Sequence, residues 1–170
     1  MPVGHSRLSS REKRRSPKVT TKATEAAPTI HCAVVLKTDN SLLLRTDFSD
    51  EAAWASLCEA LRQPSGEGFS AFLACASDRA YDGLSVEQLV AMTREGGDRS
   101  FVFIADRATL SAPEQPVLVV DLHQEPGRTF RAIPREMWSV ENNLSIANMD
   151  FSEFADNVDP DGIFRGFPQP

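Results

Sequence analysis

From residue 41 onward the chain alternates short apolar runs with segments whose apolar residues recur at helical spacing, and this alternation restricts the fold more than any other feature. The runs are SLLLRT at 41–46, FSAFLACAS at 69–77, FVFIAD at 101–106 and VLVVDL at 117–122. Each has strand length and is apolar on both of its alternating faces, the mark of a strand covered from both sides. In FSAFLACAS, Phe69, Ala71, Leu73 and Cys75 fall on one side and Phe72 and Ala74 on the other. A fifth segment, RTFRAI at 128–133, follows the short HQEPG connection and reads as an antiparallel edge strand.

Between the first two strands lies DFSDEAAWASLCEALRQP, where Trp54, Leu57, Cys58 and Leu61 follow one helical face. Ser49 or Asp50 can cap its start, and Pro64 and Gly66 stop it. A second helix, in LSVEQLVAMTRE, begins with Ser85 and Gln88 at capping-box spacing and is closed by Gly96 and Gly97. Strands alternating with helices imply parallel pairing through right-handed crossovers. The expected fold is therefore a small α/β sandwich: a mostly parallel sheet of about five strands, an antiparallel edge strand, and helices on both faces.

Residues 1–30 carry seven basic side chains against two acidic ones and few large apolar residues, so they read as a disordered basic leader. Residues 31–167, opening with the apolar run CAVVL at 32–36, read as a single α/β domain. From residue 31 onward there are 11 basic and 22 acidic residues, a balance of −11. An acidic body disfavours nucleic acid, leaving the leader as the only candidate contact for it. No apolar run reaches the ~18 to 20 residues needed to cross a bilayer, and the amino end lacks the apolar centre of an export signal. The expected location is the cytoplasm. Cys32, Cys58 and Cys75 have no CxxC spacing, so they read as reduced thiols, with Cys58 and Cys75 serving packing.

Aspartates gather at or just past the strand ends: Asp47 and Asp50, Asp78, Asp106 and Asp121. Ligands of open α/β sheets sit at the carboxyl rim, and carboxylates converging there could hold Mg²⁺. Asp47, Asp106 and Asp121 thus define an alternative reading, a Mg²⁺-dependent phosphoryl or nucleotide enzyme. The companion features are missing: there is no P-loop, no DxD on one strand, no GxSxG serine and no suitable histidine base. Turn formation and helix capping account for the same aspartates. No cofactor motif is present.

The stretch MWSVENNLSIANMDF, 137–151, places Met137, Val140, Leu144, Ala147 and Phe151 on one helical stripe. Asn148 breaks that helix, and Asp150 with Glu153 opens another at capping-box spacing. Trp138, Asn142 and Asn143 are left without a folding role. They form the candidate partner-binding set with Arg165, which sits between two aromatics in GIFRGF at 162–167. GIFRGF is expected to dock on the sheet edge.

Together LLLRTDFSDEAAW, YDGLSVEQLV, FVFIAD, PVLVVDL, REMWSVENNLSIANMDFSEFAD and GIFRGF resemble an uncharacterised domain family, mostly actinobacterial and also fungal. The resemblance covers roughly residues 40 to 167. It brings no assigned activity and no catalytic residues. The functional expectation is a small, non-enzymatic protein-interaction domain, adaptor or immunity-like, with an unknown protein partner.

Overall fold

The computed structural model describes residues 40–94 and 99–168. The run CAVVL and the helix stop at Gly96 and Gly97 lie outside the described residues. In chain order the elements are β1 (Ser41–Arg45), α1 (Glu51–Arg62), β2 (Leu73–Ala76), α2 (Val86–Arg94), β3 (Phe101–Ala105) and α3 (Arg107–Ser111). They continue with β4 (Val117–Asp121), β5 (Thr129–Ala132), α4 (Met137–Ser145), α5 (Phe151–Ala155) and β6 (Ile163–Phe164). Two 3₁₀ turns, Arg79–Tyr81 and Pro134–Glu136, lead into α2 and α4.

One mixed sheet runs in the order β2-β1-β3-β4-β5-β6. β1 pairs in parallel with β2 and β3, β4 is antiparallel to β3 and β5, and β6 is parallel to β5. Five strands therefore run one way and β4 runs against them. β5 is antiparallel to β4 as its sequence implied, but β6 covers its outer side, so β5 is an inner strand. GIFRGF supplies that sixth strand: Arg131 and Ala132 register with Ile163 and Phe164. The Pro-containing connection after β3 holds one more helix, α3, whose start is capped by Asp106.

Alternation along β1 divides the core. Leu43 joins Trp54, Leu57, Cys58 and Leu61 of α1 together with Met137, Val140, Phe151 and Phe154 of α4 and α5. Leu42 and Leu44 join Tyr81, Leu89 and Val90, the last two from α2. Leu57 has no exposed surface, and burying a side chain of this size contributes about 1.5–3 kcal/mol. Both expected capping boxes form. Gln88 Oε1 accepts the Ser85 N–H at 2.9 Å, and the Glu153 carboxylate accepts the Asp150 N–H at 2.7 Å.

No helix among the described residues is long and apolar enough to cross a membrane.

Candidate functional site

β1 leads through α1 toward β2 and β3 leads through α3 toward β4, so the strand order diverges at the carboxyl ends of β1 and β3, the usual ligand position of such sheets. Beside it, the Arg45 side chain lies over the β1–α1 turn and the end of β2. Arg45 ends β1 and is only 1% exposed. Its Nε donates to the Asp47 carbonyl at 2.9 Å, Nη1 to Glu51 Oε2 at 2.7 Å and Ser77 Oγ at 3.4 Å, and Nη2 to the Asp50 carbonyl at 3.3 Å. The guanidinium carbon lies 4.5 Å from the Phe48 ring centroid and 5.3 Å from that of Trp54. A planar cation with a hydrogen-bond fork and two aromatic faces thus locks the β1–α1 turn against the end of β2.

The strand-end aspartates stay apart, each committed to its own turn. Asp47 accepts from both the N–H and the hydroxyl of Ser49, and this bonding holds its carboxyl below the usual range. Asp50 caps α1 through the Ala53 N–H at 2.8 Å, and Asp78 caps the first 3₁₀ turn through the Ala80 N–H at 2.9 Å. Asp106 accepts from Thr109 N–H and Oγ1 at 2.8 and 2.9 Å and from Arg131 Nη2 at 2.6 Å. Burial alone would raise its carboxyl, but the Arg131 and Thr109 donors outweigh burial and hold it low.

Asp121 is buried and gathers three turn N–H groups, those of His123, Gln124 and Glu125, at 2.7, 3.2 and 2.8 Å. It pairs with Phe101 at the start of β3, whereas Asp106 follows the end of β3. Five residues of strand, roughly 16 Å, separate the two levels. The aspartates expected on one rim are thus divided, because the reversed direction of β4 puts Asp121 at the opposite one. Among the described residues no three His, Cys, Asp or Glu side chains are grouped so as to hold a metal ion.

The surface over α4 has a different character. Trp138 stacks on Phe69 with ring centroids 4.9 Å apart and planes 15° from parallel. Phe69 is 49% exposed and Phe72 65% exposed. The 69–77 run therefore does not bury both its faces: β2 begins only at Leu73, and the two phenylalanines precede it. Gly68 takes φ +86°, a value glycine adopts freely, and turns the chain so that Ser65 Oγ accepts the Phe69 N–H at 3.1 Å. The glycines at 66 and 68 were the available signal that the strand starts late.

Glu141, 3% exposed on α4, fixes this segment from below. Its carboxylate accepts from Ser41 Oγ at 2.8 Å and from the Phe72 N–H at 3.0 Å. One turn from Trp138 along the helix, Asn142 is half-buried, and its side-chain amide makes no hydrogen bond among the described residues. A neighbouring cleft of about 550 Å³ opens between the end of α1, the 64–66 turn and Pro134–Arg135. Ser65 on its wall is hydrogen-bonded to Phe69.

The other two candidate residues are held internally. Asn143 Nδ2 donates to the Ser139 carbonyl at 2.8 Å and Asn143 Oδ1 accepts from Asn148 Nδ2 at 2.7 Å. The Asn143 carbonyl accepts the Asn148 N–H at 2.9 Å, the Leu144 carbonyl accepts the Ala147 N–H at 3.3 Å, and Ala147 has φ +53°. That is a Schellman ending, and it explains two of the three asparagines as helix termination. Arg165 holds Glu114, Asp159 and Asp161 at 2.7–2.8 Å. These contacts secure the β6 segment against the turn before β4.

The fold and its surfaces define a mixed α/β domain with an exposed aromatic patch. The chain belongs to the family described as a domain of unknown function, DUF6924, which matches residues 40–167. A search of curated proteins finds no match.

Proposed function

We propose that this chain is a cytoplasmic, non-enzymatic protein-interaction domain, adaptor or immunity-like, that docks a protein partner on the Phe69, Phe72 and Trp138 surface. The observation that carries this reading is the exposure of Phe69 and Phe72 beside a stacked tryptophan. Clustered exposed aromatics cost solvation unless a partner covers them, and aromatic anchors dominate interface energetics. The partner chemistry that fits is an apolar side chain laid on the rings, with a backbone amide facing the Asn142 side chain, which can both donate and accept. No observation favours phosphoryl or nucleotide chemistry, since Asp47, Asp106 and Asp121 serve separate turns.

The test is affinity capture from the native host, followed by binding measurements with the identified, purified partner. Trp138→Ala with Asn142→Ala is expected to weaken binding by at least tenfold, about 1.4 kcal/mol, while Ala91→Ser on α2 leaves it unchanged. Equal affinity of both variants for the partner overturns the proposal.

A further inference from the structure

Cys58 and Cys75 carry features that packing does not use. Cys58 belongs to the buried stripe of α1 and is 7% exposed. Cys75 is exposed on β2, the outer strand at the end of the sheet opposite β6. The pairing of Leu43 with Cys75 sets both on one face, and Leu43 shares its core cluster with Cys58. Both thiols therefore lie at the seam where α1 covers the sheet, and each is the strongest influence on the titration of the other.

The pair is asymmetric: Cys58 is buried and Cys75 exposed. The neighbouring Cys58 is the largest influence on the Cys75 thiol, opposed by burial and aided by the Arg62 guanidinium, and this contact brings it down to about 7. The same contact together with burial pushes Cys58 up. An exposed thiolate beside a buried protonated thiol is the arrangement of an attacking and a resolving cysteine.

We propose that Cys58 and Cys75 form a redox-active dithiol, a modification site for hydroperoxides that closes into a reversible α1–β2 disulfide. The Cys75 thiolate attacks one peroxide oxygen and the O–O bond breaks. The departing oxygen takes up a proton and leaves as water, or as an alcohol from an alkyl hydroperoxide, and Cys75 becomes a sulfenic acid. The Cys58 sulfur then attacks the Cys75 sulfur, the S–O bond breaks, and the Cys58 proton leaves with the hydroxyl as water. Two thiols lose two electrons and one peroxide gains them. Two equivalents of a small thiol restore the pair by exchange through a mixed disulfide and leave as their own disulfide. The closed loop contains Phe69 and Phe72, so oxidation restrains the segment bearing the exposed rings.

The experiment uses the full chain carrying Cys32→Ser, reduced and then treated with hydrogen peroxide near equivalence. Intact mass is expected to fall by two hydrogens, non-reducing peptide mapping to join the Cys58 and Cys75 peptides, and dithiothreitol to reverse both. Iodoacetamide should alkylate Cys75 with a midpoint near pH 7. Cys58→Ser should instead leave a dimedone-reactive sulfenic acid at Cys75. Cys75 passing to sulfinic acid while Cys58 stays a free thiol, or neither thiol reacting, overturns the proposal.

Discussion

The indole of Trp138 and the ring of Phe69 lie nearly parallel, 4.9 Å apart, joining α4 to the segment before β2 on the outside of the molecule. Offset aromatic pairs contribute about 0.5–1.5 kcal/mol beyond the area they bury. A double-mutant cycle of Trp138→Ala and Phe69→Ala, followed by urea denaturation, is expected to give a coupling energy of that size. Additive single effects would show that the two rings share no energy.

Removal of Arg45 should cost far more than removal of its acidic partner. Arg45→Ala strips hydrogen bonds from the Asp47 and Asp50 carbonyls and the packing surface from Phe48 and Trp54, a loss of about 2–4 kcal/mol. The Glu51 side chain is 81% exposed and regains water when unpaired, so Glu51→Gln should stay within about 0.5 kcal/mol. Urea midpoints of the two variants measure the difference.

Acid sensitivity follows from Asp106. Its carboxyl is held below the ordinary aspartate value, so its contribution is fully present above about pH 4 and is lost as pH falls through the lower folded value. Stability measured from pH 6 downward should decline below pH ~4, and Asp106→Asn should flatten part of that decline. An unchanged slope in the variant would assign the acid sensitivity to other groups.

Ala147 occupies the left-handed position that ends α4, where glycine carries no steric cost. Ala147→Gly is expected to stabilise the protein by roughly 0.5–1 kcal/mol in thermal or urea unfolding.

Strands β1 to β5, the three longer helices and both capping boxes were legible because burial pattern and cap chemistry are local properties of the chain. β6 was visible only as an aromatic segment at the chain end, since pairing of two residues leaves almost no periodic trace. Asp121 was misplaced because strand direction is set by topology. Phe69 and Phe72 looked like buried strand residues, and only the turn at Gly68 turns them outward. Arg45 stood in plain view at the end of an apolar run, but its burial depends on Phe48 and Trp54 folding over it. The approach of Cys58 to Cys75 arises from a helix crossing a strand and leaves no spacing rule in the sequence.

The central claim is that a protein partner covers the aromatic surface. Its most direct test is photo-crosslinking in native host cells from a reactive residue placed at Phe72, compared with one at Ala91 on the α2 side. The account predicts a discrete adduct from position 72 that disappears with Trp138→Ala and does not form from position 91. An adduct from position 91 alone, or one from position 72 that survives Trp138→Ala, would contradict it.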